Sequence, residues 1–245
     1  MFLWLVIILV VLIGALIVAN LALRGLVQLD HPEQNASRTL LYASSFDSAD
    51  QEWSQYQGQT SAQIKDGNLH ISIDAANKGV FSVLSYDFGD FDARINVTRV
   101  QAADPYNEVG LLFRYRDPQN YYVLLIRSDG AYKVERSKDG QVETLSEYHA
   151  SPAIMQGLNA VNQLRVVGQG SHFKLYVNDQ QLTLCPSGPG TAKSTWNSDA
   201  CMSNSGKTAT ELVDTSFDDG QIGAGVRVAD PGIDVAFDNV LIYAP

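Results

Sequence analysis

The sequence predicts an antiparallel all-β domain, a sandwich or a barrel, carried behind one apolar N-terminal helix. Three observations predict it. From Met1 to Leu23 no side chain is acidic or basic. From Leu40 onward apolar and polar residues alternate in short runs, and turn residues separate those runs at close intervals. No later stretch combines a helical period with caps over three turns, although 151–158 is expected to form a short helical turn.

The first element, residues 1–24, is read as a single transmembrane α-helix. A bilayer core of about 30 Å is crossed by about 20 apolar residues at 1.5 Å rise each. A cleaved signal peptide would carry a basic start, a shorter apolar core and a small-x-small site. Here no Lys or Arg precedes the run, and Ala19-Asn20-Leu21-Ala22-Leu23 is a poor cleavage site. Residues 25–40, with His31-Pro32 and Asn35-Ala36-Ser37, lack apolar periodicity and read as a polar stalk.

Residues 41–245 then form one β domain. Leu69, Ile71 and Ile73 alternate with His70, Ser72 and Asp74, and Phe91, Ala93, Ile95 and Val97 alternate with polar neighbours. Phe173, Leu175 and Val177 do the same, so each strand has one buried and one wet face. Asp66-Gly67, Asp129-Gly130, Asp139-Gly140 and Asn178-Asp179 supply the residues that tolerate positive φ in hairpin turns. Between Val109 and Leu145 these signals give a four-strand meander.

Two cysteines, Cys185 and Cys201, lie in a Ser/Gly/Pro/Asn-rich stretch away from any histidine. The spacing does not suit zinc. A disulfide would close a loop of about 15 residues with little apolar content and contribute roughly 3 kcal/mol. Two unpaired thiols are the alternative, since spacing alone does not prove a bond. The pairing puts the domain in an oxidising compartment, on the extracytoplasmic side of a cell membrane. Arg24, the one strong charge beside the apolar run, points the other way by the positive-inside rule, but no basic cluster accompanies it. The long insertion around 185–214 interrupts the strand rhythm and is expected to be partly held by the disulfide.

The formal charge is −10 over 245 residues, and the acidic excess lies outside the apolar segment. Such a surface repels phosphate backbones, so nucleic acid is not an expected partner.

The ordered motifs carry a resemblance. Phe46-Asp47, Trp53, Asp66-Gly67-Asn68-Leu69, Phe88-Gly89-Asp90-Phe91 and Val109-Gly110-Leu111-Leu112-Phe113-Arg114-Tyr115 come first. Asn120-Tyr121-Tyr122, Asp129-Gly130-Ala131-Tyr132, Asn162-Gln163-Leu164-Arg165-Val166 and Leu175-Tyr176-Val177-Asn178-Asp179 follow, then Gly220-Gln221-Ile222-Gly223 and Phe237-Asp238-Asn239-Val240. The succession resembles the concanavalin A-like lectin/glucanase superfamily, especially its laminin-G-like and DUF1080-type domains, over nearly all of 41–245. It implies a two-sheet antiparallel jelly-roll sandwich. It does not specify function, because that sandwich serves lectins, carbohydrate-binding modules, glycosidases and spacer domains alike. The cysteine-bearing segment departs from the pattern, which has a short connection before the Gly-Gln-Ile-Gly strand.

The glucanases of that superfamily carry catalytic carboxylates as Glu-x-Asp-x-x-Glu on one strand, and no such run occurs here. Glu108, Asp117, Glu135 and Glu143 read as isolated carboxylates at strand ends or turns, and catalysis is not expected. Many relatives hold a structural calcium between first and last strands, which implies Asp47 and Asp238 as metal ligands. The alternative is that Asp238 caps a bulge, because apolar parity shifts from Val235/Phe237 to Val240/Ile242 across it. No other cofactor is expected. Arg114, Tyr115, Arg116, Asn120, Tyr121, Tyr122 and Arg127 concentrate on one hairpin, where rings and guanidinium forks could hold sugar hydroxyls or carboxylates. Their other reading is as ordinary occupants of a wet strand face. Strand alternation puts Leu112, Arg114 and Arg116 on one face and Leu111, Phe113 and Tyr115 on the other. Trp53 is expected in the core.

The expected function is a membrane-anchored, extracytoplasmic, non-catalytic sandwich that binds a glycan or a protein partner. The alternatives are an accessory subunit of a larger membrane protein complex and a divergent glycoside hydrolase.

Overall fold

A computed structural model of the chain describes residues 38–48, 50–102, 104–187, 201 and 206–245. The expected transmembrane helix, most of the stalk and most of the insertion lie outside the described residues. Among the described residues, no helix is long and apolar enough to cross a membrane.

The domain from Thr39 to Pro245 is an all-β, two-sheet antiparallel sandwich. Its strands are β1 Leu40–Ser44, β2 Thr60–Lys65, β3 Asn68–Ile73, β4 Lys78–Phe88, β5 Phe91–Gln101, β6 Glu108–Asp117, β7 Asn120–Ile126 and β8 Ala131–Lys138. They continue as β9 Gln141–Ala150, β10 Val161–Gln169, β11 His172–Val177, β12 Gln180–Gln181, β13 Leu212–Val213, β14 Gly220–Val228 and β15 Ile233–Tyr243. One sheet runs β12-β11-β10-β5-β15-β3-β2, with β1 added to β15 and β13 to β11; the other runs β4-β14-β6-β7-β8-β9.

The expected meander is β6 to β9, four consecutive antiparallel neighbours. Turns follow from local chemistry: Asp139 and Gly140, between β8 and β9, take φ of 50° and 76°, and Asp66 and Gly67, between β2 and β3, take 52° and 73°, a region that Asp, Asn and Gly enter at low cost. The two sheets close on one core. Leu69, Ile71, Ile95, Val97, Leu164 and Phe173 from one meet Leu111, Phe113, Tyr122, Leu124, Ile222 and Ala224 from the other, and every one is at most 2% exposed. Trp53 joins this core at 2% exposure and donates its indole N–H to Tyr42 Oη at 2.9 Å.

Three irregularities shape the surface. In β15 the register against β5 slips between Asp238 and Leu241, and Asn239 has φ of 50°. That is the bulge the parity shift announced, and it lets one strand pair with β3 before it and β1 after it. In β6 the register slips between Phe113 and Asp117, and Arg114 has φ of 48°. Gly220, at φ of 144°, lies against this slip, where a Cβ would come 2.6 Å from the Arg114 carbonyl carbon. The third is at 151–158, where the expected helical turn is replaced by tight turns. The Met155 N–H that a helix would use goes to Asn162 Oδ1 at 2.8 Å, and the Met155 carbonyl accepts from the same amide at 2.9 Å.

Cys185 and Cys201 are bonded, with Sγ atoms 2.00 Å and Cα atoms 5.3 Å apart. Cys185 is itself pinned to β9. Its N–H donates to Ser146 Oγ at 2.9 Å and its carbonyl accepts from Glu147 N–H at 2.8 Å.

Candidate functional site

The hairpin residues singled out from the sequence do not form one surface. The β6 slip reverses the expected alternation after Phe113. Leu112 keeps to the side away from the core, with Tyr121, Val123, Leu125, Phe81 and Tyr115. Arg114 instead points between the sheets at 0% exposure, its guanidinium carbon 4.7 Å from the centre of the Phe173 ring. Its Nη1 donates to the Phe217 carbonyl at 2.5 Å and its Nη2 to the Gly89 carbonyl at 3.4 Å. Burial pushes this guanidinium below its ordinary value. Arg116 turns to the same segment, over the Phe217 ring at 5.4 Å, and pairs with Asp218 and Asp219 at 2.5 and 2.7 Å. Both arginines therefore turn to the Phe217 segment and not to the side of Leu112, Arg114 buried and Arg116 exposed.

Tyr122 is also interior, fully buried and stacked on Phe113 at 5.3 Å. Its hydroxyl donates to Asp214 Oδ1 at 2.5 Å and accepts from Phe217 N–H at 3.3 Å. Asn120 holds the turn, donating to both Asp117 oxygens and accepting from Asp139 N–H at 3.0 Å. Tyr115 and Tyr121 remain on the outer face, ring centres 6.1 Å apart. Arg127 lies at the other end of β7, paired with Asp129 at 2.5 Å and set between the Tyr106 and Tyr148 rings at 4.5 and 4.9 Å.

The same outer face carries a charged network that sequence spacing did not show. Lys133 Nζ lies 2.7 Å from Glu108 Oε1 and 2.7 Å from Glu135 Oε1. Arg227 Nη1 closes the other side at 3.2 Å from Glu108 Oε2 and 2.8 Å from Glu135 Oε2. Glu108 and Glu135, read as isolated carboxylates, are thus bridged twice, because β6 and β8 flank β7 and β14 brings Arg227 opposite Glu108. Tyr148 Oη donates to Glu108. Burial pulls the Glu135 carboxyl up, but Arg227 and Lys133 outweigh it and hold the group below the usual carboxylate range. The two carboxylates and the two cations form a charge-balanced set.

A cleft opens where β1 and the end of β4 diverge. It has a volume of about 620 Å³ and is lined by Leu41, Tyr42, Glu52, Tyr86, Asp87, Phe88, Gly89 and Asp90. Tyr42 and Tyr86 stand 6.2 Å apart at a 52° tilt, and Tyr86 is 46% exposed. Tyr86 Oη donates to Glu52, and Tyr42 Oη donates to Asp50 Oδ2 at 2.7 Å. The Glu52 hydrogen bond raises the Tyr86 phenol, and burial raises that of Tyr42. From behind, Arg114 holds the Gly89 carbonyl and lies 3.9 Å from Asp90 Oδ1. One residue chosen from the sequence therefore supports this cleft without lining it. The run Tyr86-Asp87-Phe88-Gly89-Asp90, two aromatics and two acids at a strand end, is the signal that could have pointed here.

Among the described residues, no three of His, Cys, Asp and Glu converge as metal ligands. Asp47 and Asp238 are within electrostatic reach: desolvation raises the Asp238 carboxyl, and Asp47 adds to the rise. Asp238 already accepts from Asn239 N–H at 2.6 Å and Asn239 Nδ2 at 2.7 Å. The pair has the charge and hardness a calcium ion seeks, and supplies part of the about six to eight oxygens it takes.

No protein-family model matches the chain, and no curated protein matches it. Solved structures do. A carbohydrate-binding module, CBM66, from Bacillus subtilis is similar at TM-score 0.54 and 16% identity, over 78% of this chain and 95% of that one. A protein of unknown function with a galectin-like fold from Bacillus subtilis is similar at TM-score 0.55 and 11% identity, over 84% and 96%. The catalytic domain of an endo-1,3-β-glucanase (laminarinase) from Thermotoga petrophila is similar at TM-score 0.53 and 10% identity, over 84% and 98%. These likenesses agree with the concanavalin A-like jelly-roll sandwich that the motif order implied, and at such identities they concern the fold alone.

Proposed function

We propose that this chain is a membrane-anchored, extracytoplasmic, non-catalytic sandwich that binds a glycan. The observation that carries the reading is the cleft at Tyr42 and Tyr86. It joins two tilted rings, one of them half exposed, to carboxylates that accept from sugar hydroxyls, in a space of about 620 Å³. The fold is shared with a named carbohydrate-binding module, which supports the reading. The disulfide favours an oxidising compartment, and the apolar run at 1–24 supplies the anchor. The non-catalytic part of the reading rests on the sequence, which holds no Glu-x-Asp-x-x-Glu run.

The test is a glycan array probed with the full chain in detergent, beside its Tyr86→Ala variant. Binding by the wild type that Tyr86→Ala abolishes at unchanged melting temperature supports the reading. Hydrolysis of a bound glycan overturns its non-catalytic part. A protein that co-purifies in fixed stoichiometry while no glycan binds overturns the glycan itself in favour of a membrane-protein partner.

A further inference from the structure

The cleft is lined by charge of one sign. Among the described residues that line it, three are carboxylates, Glu52, Asp87 and Asp90, and none is cationic. Asp90 accepts from Gly170 N–H at 2.7 Å and is faced by buried Arg114, and Glu52 accepts from Tyr86. Asp87 is exposed, and among the described residues no hydrogen bond or ion pair engages its carboxylate. A uronic acid or a sulfated sugar would meet like charge here, in a chain that already carries −10. A primary amine would meet opposite charge and, over Tyr42 or Tyr86, the negative face of an aromatic ring.

A second cleft adjoins the first. It has a volume of about 490 Å³, shares Tyr42 and Glu52 with the first and continues past Ser44, Ser48 and Asp50. Asp50 is engaged there by Tyr42 Oη at 2.7 Å, Ser44 Oγ at 3.0 Å and Glu52 N–H at 2.8 Å, so it fixes the wall. The serines and Gln51 offer hydroxyl and amide partners on that side.

We propose that this two-part groove binds an oligosaccharide bearing free amines, with Asp87 and Glu52 pairing with an ammonium and Tyr86 stacking on the ring that carries it. The proposal rests on the glycan reading above and narrows it to one class.

Calorimetric titration of the full chain in detergent with the glucosamine hexamer, the N-acetylglucosamine hexamer and hexalysine, at mildly acid pH, tests it. The glucosamine hexamer should bind at least about 10-fold more tightly than its acetylated counterpart. That preference should shrink at high salt and in Asp87→Asn, whose exposed position spares the fold. Equal binding of both hexamers overturns the amine preference and leaves the glycan reading standing. Hexalysine binding as tightly as the glucosamine hexamer, insensitive to Tyr86→Ala, overturns the proposal in favour of plain charge attraction. Failure of every sugar, here and on the array, removes the glycan reading along with it.

Discussion

The guanidinium of Arg114 stands 4.7 Å from the ring centre of Phe173, so a residue of one sheet is seated on an aromatic side chain of the other inside the core. It is held there by the Phe217 carbonyl at 2.5 Å, and it reaches β6's interior side only because its own φ is 48°. A desolvated cation over a ring is worth about 2 kcal/mol, and a hydrogen bond to a charged group about 1.5 to 3 kcal/mol. Arg114→Ala should therefore lower unfolding free energy by about 3 kcal/mol in a denaturant titration. Arg114→Lys should recover little of it, since one ammonium cannot replace the planar fork. A loss below about 1 kcal/mol would mean that the carbonyls and ring are as well served without it.

The Glu108, Lys133, Glu135 and Arg227 network makes a sharper prediction. Removing one cation leaves two buried carboxylates facing a single partner, and breaking such a set costs about 3 to 5 kcal/mol. Lys133→Met should destabilise on that scale at neutral pH. The pH dependence has a fixed sign. The folded pKa of Glu135 is depressed, so its contribution is present above the unfolded value of about 4.3 and lost as pH falls through the folded one. Wild type and Lys133→Met should thus converge in melting temperature in acid. A gap that stays constant down to low pH would show that Lys133 acts through packing of its stem.

Much of the fold was legible because its signals are local. The strands at 69–73, 91–97 and 173–177 alternate as written, and Asp-Gly and Asn-Asp pairs fall at observed turns with positive φ. Even the β15 bulge could be read, since Asp238-Asn239 sits where apolar parity changes and Asn accepts φ of 50°. The β6 slip could not, because Arg is an unusual occupant of that backbone region, and one hidden slip moved Arg114 to the opposite face. The cleft escaped for a different reason. Tyr42, Glu52 and Tyr86 come from three separate segments, and each alone reads as an ordinary β residue. Glu108 and Glu135 escaped likewise, brought together through strands that adjoin in the sheet and not in the chain.

The last prediction concerns Asp47 and Asp238, which the bulge sets close enough for their charges to oppose. Desolvation raises the Asp238 carboxyl, and Asp47 raises it further. With a folded pKa above the unfolded value of about 3.9, Asp238 contributes favourably below that value, and the contribution is lost as pH rises through the folded one. Asp47→Asn removes the opposing charge while leaving both Asn239 donors on Asp238 in place. In the presence of a chelator this variant should melt higher than wild type at neutral pH, and the two should coincide in acid once Asp238 is protonated. Calcium reverses the ranking if the pair holds the ion, since it offsets both charges in the wild type and finds one carboxylate fewer in the variant. A melting temperature indifferent to calcium in both proteins would leave Asp238 with the bulge alone, its two oxygens spent on the Asn239 N–H groups that shape the turn.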